Sequence, residues 1–154
     1  MKFHADYQDC ESWIKPFLNA SGNHLAFTMM NMNMEHEPIF GKRILLVDNE
    51  RVERELIRDL LVTDEHIVVE ANNGAEAYSL FTQSQFDLVV TDSVMPFVNG
   101  HELALRIKRV APRQPILLIT GVDDSRSSRK LVDAVLQKPF DYTALQQELA
   151  KLLS

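Results

Sequence analysis

The sequence predicts an α/β domain, a doubly wound parallel sheet of five strands, preceded by an N-terminal extension. Three observations predict it. From Lys42 to the C-terminus, five short apolar runs alternate with segments of helical period. The runs are unbroken stretches rich in β-branched residues and leucine, which suits strands buried on both faces. The intervening segments each carry a single apolar stripe, as helices laid on a sheet do. Alternation of this kind implies right-handed crossovers with helices on both faces.

The strands are expected at residues 44–47, 67–69, 88–90, 116–119 and 134–136. The helical stripes run through Val52, Leu56, Leu60 and Leu61, then Ala77, Leu80 and Phe81. Two more follow, Leu103, Ile107 and Val110, and finally Tyr142, Leu145, Leu149 and Leu152. Asn99 and Gly100 read as structural residues that set a turn and start a helix. His66 and His101 lie too far apart for a metal site and read as surface residues.

Composition bounds the rest. The 154 residues suffice for one domain with a real core, and 45% hydrophobic with 25% charged residues is ordinary for a globular protein. A net charge of −6 offers no basic face for direct nucleic-acid binding. The lone Cys10 cannot close an internal disulfide, and the apolar runs are far too short to span a membrane. No signal peptide is read at the N-terminus, so a cytoplasmic location is expected.

The composition shifts near residue 40. Five of the six methionines fall within the first 34 residues, and residues 1–40 are assigned to an extension separate from a domain at 41–154. In the extension Phe3, Tyr7, Cys10, Ile14 and Phe17 make one amphipathic stripe that Pro16 must end or kink. Scattered glycine, asparagine and methionine favour a poorly ordered tail over the remainder, and Met34 could serve as a start. His4, Cys10, His24 and His36 have no zinc-ligand spacing.

Ligands of such a sheet bind beyond the carboxyl ends of the strands. There the sequence gathers Asp48, Asn49 and Glu50, then Asp92, Ser93, Val94, Met95 and Pro96, then Thr120 and Gly121, then Lys138, Pro139 and Phe140. Carboxylates crowded together repel unless a cation sits among them, and oxygen donors from Asp48, Asn49 and Asp92 suit Mg²⁺. With the ion bound, Asp92 could attack a phosphoryl group as a nucleophile. The Lys138 ammonium and the Thr120 hydroxyl would then meet the phosphoryl oxygens. Glu50 is expected to point away and begin a helix, where its charge favours the dipole.

These segments resemble the receiver domains of bacterial response regulators, a flavodoxin-like (βα)5 fold. Lys42–Glu50 is similar to their first strand and acid cluster, and the run from Phe86 to Pro96, closing with Asn99-Gly100, to their acceptor segment. Pro115–Gly121 and Gln137–Phe140 resemble the remaining two signatures, in the right order, over residues 42–153. The resemblance implies a phosphoacceptor switch in which a sensor histidine kinase or histidine phosphotransfer protein phosphorylates Asp92. It implies Mg²⁺ held by Asp48, Asp92 and the backbone carbonyl of Val94, and no enzymatic activity beyond slow self-dephosphorylation. With no recognisable output segment, the chain reads as a stand-alone receiver acting on an unknown downstream protein.

Three departures from that pattern matter. The second acid position is Asn49, which can ligate Mg²⁺ but carries no charge, so weaker binding is expected. Only 17 residues separate Thr120 from Lys138, which shortens the helix between the last two strands to about residues 125–131. The aromatic usual three positions before the lysine is Val135. Asn49 and Val135 motivate an alternative, a pseudo-receiver serving as a phosphorylation-independent adaptor. Val94 and Val122 occupy the positions that flank an attacking water in receivers, and neither can orient one, so a long-lived phosphoryl group is expected. A flavin site would want a Ser/Thr/Gly-rich loop after the first strand, where acids stand instead.

Overall fold

A computed structural model describes residues 39–121 and 130–154. In chain order it contains β1 (Arg43–Val47), α1 (Arg51–Thr63), β2 (Ile67–Ala71), α2 (Gly74–Gln83), β3 (Leu88–Asp92), α3 (Gly100–Val110), β4 (Ile116–Thr120), β5 (Ala134–Gln137) and α4 (Tyr142–Leu153). The strands form one sheet in the order β2-β1-β3-β4-β5, and every neighbouring pair is parallel. Each expected apolar run lies inside its strand. The helix expected at 125–131 falls mostly outside the described residues, as does the extension up to residue 38.

Side chains alternate across a strand, so the two sheet faces are built from interleaved residues. Leu45 and Val47, Val89, and Ile116 and Leu118 join Ala77, Leu103, Ala104 and Ile107 in one core cluster beneath α2 and α3. Ile44, Leu46, Leu88, Val90, Leu117 and Ile119 alternate with them, are also fully buried, and face the side covered by α1 and α4. Each such side chain contributes roughly 1.5–3 kcal/mol on leaving water. A further link ties α1 to α4 on that side: the Tyr142 hydroxyl donates to buried Asp64, the C-cap of α1, and Gln146 Nε2 donates to the Tyr142 oxygen. The helices start where the sequence supplies caps. Asn73, Asn99 and Asp141 each accept a backbone N–H from the first turn of the helix that follows.

Some positions differ from expectation. Val52 and Val110, placed in the stripes, are both 59% exposed, and Ile67 on edge strand β2 is 56% exposed. In α1 Leu56, Leu60 and Leu61 are buried as expected, together with Ile57, but the buried face begins at Glu53 and not at Val52. Val135 is half-buried and packs against the core cluster. His66 is not a surface residue. It is buried, and its Nδ1 accepts the backbone N–H of Lys42 at 3.2 Å, pinning the start of β1 beside β2.

That contact needs neutral imidazole, and burial holds His66 below the usual histidine pKa. The unfolded chain therefore takes up the proton first as pH falls. The contribution of His66 is complete above about pH 6.5 and declines below it. His66→Asn, which keeps an acceptor without titrating, should flatten this decline in denaturant unfolding between about pH 7 and 5. Equal slopes for the two proteins would contradict the assignment.

Candidate functional site

From β1 the chain moves outward to β2, whereas from β3 it moves the other way to β4 and β5. The helices that leave these adjacent strands part to opposite sides and open a crevice at the carboxyl ends. Val47 pairs with Thr91, so the next residues, Asp48 and Asp92, emerge side by side. Asp92 itself pairs with Ile119, and Thr120 pairs with Gln137, which brings Thr120 and Lys138 to the same mouth.

Asp48, Glu53, Asp92, Ser93 and Thr120 are all buried there. Lys138 Nζ donates to Asp92 Oδ1 at 2.9 Å and also to Glu53 Oε2. The other Asp92 oxygen accepts the backbone N–H of Val94 at 3.0 Å. Asp48 Oδ1 accepts from the Glu50 backbone at 2.8 Å, and its carbonyl oxygen accepts from Arg54 Nη1 at 2.7 Å. Arg54 is in turn paired with Glu70 on β2, so a buried guanidinium fixes the backbone that carries Asp48. Ser93, unassigned by the sequence reading, donates from Oγ to Thr120 Oγ1 at 3.0 Å.

The Asp92 backbone is gripped from behind. Gly100 N–H donates to the Ser93 carbonyl, and a Cβ at Gly100 would overlap the Asp92 carbonyl oxygen and press on Leu118. Gly100 thus does more than start α3: it lets the helix close against Asp92. Gly121 is less constrained, since a Cβ there would meet only Lys138 Cδ at 4.0 Å among the described residues. The Val94 side chain is exposed, and Val122 lies outside the described residues.

The electrostatics follow from this crowding. Burial, followed by repulsion from Asp92, pushes the Asp48 carboxyl up to about 7. Asp92 is also raised, by burial, despite its lysine partner. Burial alone would lower Lys138, yet the carboxylates of Asp92 and Glu53 hold its ammonium well above the usual lysine range. One oxygen each of Asp48, Glu53 and Asp92 lies within 4.8 Å of the others, close enough to face one cation.

Asn49 adds an independent sign. Its Oδ1 is buried without any hydrogen-bond partner, while its Nδ2 makes a long 3.4 Å contact with Glu50. A buried orphan acceptor costs about 1–3 kcal/mol unless something positive meets it. The donor set, all oxygen and mostly anionic, fits a hard divalent cation such as Mg²⁺.

Glu53 is the residue that sequence reasoning missed. The signal was a carboxylate at i, on the same face as Leu56, Ile57 and Leu60 at i+3, i+4 and i+7. Starting the stripe at Val52 concealed it. Glu50 is the N-cap of α1 without a side-chain capping bond.

Comparison with known proteins finds relatives over most of the chain. The response regulator receiver protein CpdR of Brucella abortus is 37% identical over 119 residues, covering 73% of this chain and 97% of CpdR. The autoinducer 1 sensor kinase/phosphatase LuxN of Vibrio harveyi is 33% identical over 114 residues, but the chain spans only 13% of LuxN. Among solved structures, the response regulator TrrA of Thermotoga maritima, crystallised with Mg²⁺ and BeF, superposes with a TM-score of 0.69 at 34% identity, covering 73% of this chain and 99% of TrrA. TrrA has also been solved in complex with the histidine kinase ThkA. Residues 44–150 match the response regulator receiver domain family, and the chain belongs to that family of two-component signalling domains.

Proposed function

We propose that the chain is a phosphoacceptor switch of a two-component phosphorelay, phosphorylated on Asp92 in a Mg²⁺-dependent reaction. The observation that carries this reading is the position of Lys138 Nζ, 2.9 Å from a buried Asp92 carboxylate beside two further acids. A structural ion pair would need one acid; a site for a dianionic group needs positive charge concentrated around an anionic nucleophile.

Bound Mg²⁺, held by Asp48, Asn49, Asp92 and the Val94 carbonyl, would offset the negative charge of the incoming phosphoryl group. An Asp92 oxygen forms the bond to phosphorus as the bond from phosphorus to the donor breaks. That donor is the phosphohistidine of a sensor histidine kinase or a histidine phosphotransfer protein. Lys138 is already at Asp92 and meets one phosphoryl oxygen. Thr120, whose oxygen accepts from Ser93, would donate its hydroxyl proton to another. Val52 in the first turn of α1 and Val94 and Phe97 after β3 expose apolar surface near the crevice, which suits docking of a donor protein. The pairing of TrrA with ThkA supports the same class of partner. No helix among the described residues is long and apolar enough to cross a membrane.

Incubation with acetyl phosphate and Mg²⁺ should add one phosphoryl group by intact mass, and Asp92→Asn should abolish the gain. Modification persisting in that variant would remove Asp92 from the role. Val94→Asn should shorten the lifetime of the label several-fold by giving water a hydrogen-bonding partner near the phosphorus. An unchanged lifetime would sink that steric account.

The pocket also predicts how stability varies with pH. Asp48 keeps its proton to about pH 7 in the folded state but loses it near 4 when unfolded, so metal-free stability should fall as pH rises between those values. Asp48→Asn keeps the acceptor for Glu50 N–H and removes the repulsion. In chelator at pH 8 it should be more stable than the native chain, by on the order of a few kcal/mol, and gain less from added Mg²⁺. A less stable Asp48→Asn under those conditions would contradict the charge account.

A further inference from the structure

We propose that Ser93 is a positioning residue for phosphoryl transfer: its hydroxyl latches Thr120 on the side of the sheet away from the Asp92 carboxylate, and Thr120 must leave it to reach a phosphoryl group. This rests on the phosphoacceptor reading above and adds a residue to which the sequence assigned no role.

Strand register carries it. Asp92 pairs with Ile119, and the ladder runs on past β3, where the Ser93 N–H donates to the Ile119 carbonyl at 2.9 Å. Side chains alternate along each strand. Thr91 and Leu118 pair one step earlier, and Leu118 lies in the cluster beneath α2 and α3. Ser93 and Thr120, two residues further on, return to that side. Asp92 and Ile119 take the other. Lys138, two residues past Leu136, which pairs with Ile119, joins Asp92 there. The two hydroxyls thus meet behind the charged groups, with Ser93 Oγ donating to Thr120 Oγ1 at 3.0 Å.

Both residues are buried, so water competes little for this bond. A hydroxyl on a β-branched carbon has few resting positions, because χ1 occupies staggered wells. Thr120 can hold Ser93 or turn its oxygen toward the mouth, and the bond to Ser93 favours the first. Thr120 has further interactions, so the latch contributes one hydrogen bond and no more. Between neutral partners that is a factor of about five in an equilibrium constant. A phosphoryl group on Asp92 pulls the other way, offering the Thr120 proton a charged acceptor and hence a stronger bond. The threonine is a two-position element that Ser93 and the ligand bias in opposite directions.

Beryllofluoride, titrated calorimetrically into the full chain with saturating Mg²⁺, stands in for the phosphoryl group. Ser93→Ala should tighten its binding about fivefold. In a Thr120→Val background the same substitution should change it by less than about twofold, because the latch then has nothing to hold. Unchanged or weaker binding in Ser93→Ala overturns the inference while the phosphoacceptor reading stands. A bond that merely satisfied two buried hydroxyls would lower stability and leave ligand affinity alone. Equal tightening in both backgrounds overturns it too, since Ser93 would then act other than through Thr120. Should Ser93→Ala not fold, Ser93→Cys, a weaker donor of similar size, decides by the same two comparisons. A native chain that takes up neither beryllofluoride nor a phosphoryl group from acetyl phosphate removes both readings.

Discussion

Like charges confined in one buried pocket are the constraint on which this domain is organised. Asp48, Glu53 and Asp92 each bring an oxygen within 4.8 Å of the others, and the Lys138 ammonium bonds to two of them. Two carboxylates at that separation repel by roughly 3 kcal/mol at an effective dielectric of about 20. Such repulsion works against the fold. It is tolerated because β1 and β3, buried through most of their length, fix the two aspartates at adjacent strand ends. The Arg54 guanidinium on the Asp48 carbonyl and the close seat of Gly100 against Asp92 leave the backbones little room to separate.

The same crowding would make such a pocket responsive to a cation or a phosphoryl group. A site that is electrostatically satisfied when empty has little to gain from a cation or a phosphoryl group. Here burial, with repulsion between neighbouring carboxylates, raises the Asp48 and Asp92 carboxyls, and the carboxylates of Asp92 and Glu53 raise Lys138 against its own burial. The Ser93 hydroxyl on Thr120 and the shared lysine are hydrogen bonds that an added phosphoryl group would rearrange, linking chemistry at Asp92 to β4 and β5. Stability is given up at the crevice and recovered in the apolar layers behind it.

Much of this was legible in the sequence, for physical reasons. Short, β-branched apolar runs alternating with helical stripes suit buried parallel strands, so the strands, their order along the chain and the end of the sheet carrying Asp48, Asp92, Thr120 and Lys138 are legible directly. Glu53 could not be read so easily, because an acid in a first helical turn usually signals the dipole. Val52 also stands at helical spacing from Leu56, which puts the first member of the stripe one residue early. His66 was misjudged because its partner is the backbone of Lys42, 24 residues away, and backbone partners leave no trace in side-chain pattern. The role of Gly100 against the Asp92 carbonyl is likewise a contact with main chain. Asn49 was read as a possible ligand from chemistry alone, and its orphaned oxygen is a feature only three dimensions reveal.

Charge gathered at the switch point should make Asp92, and not its acidic neighbours, the nucleophile. An acyl phosphate is reduced by borohydride to the corresponding alcohol, which turns an aspartyl phosphate into homoserine. Peptide mass spectrometry after treatment with phosphodonor, Mg²⁺ and borohydride therefore locates the reacting carboxylate at the level of single residues. The account predicts homoserine at position 92 and none at position 48, with Glu53 unreduced. Reduction at Asp48 or Glu53, or phosphorylated protein with no homoserine at position 92, would contradict it.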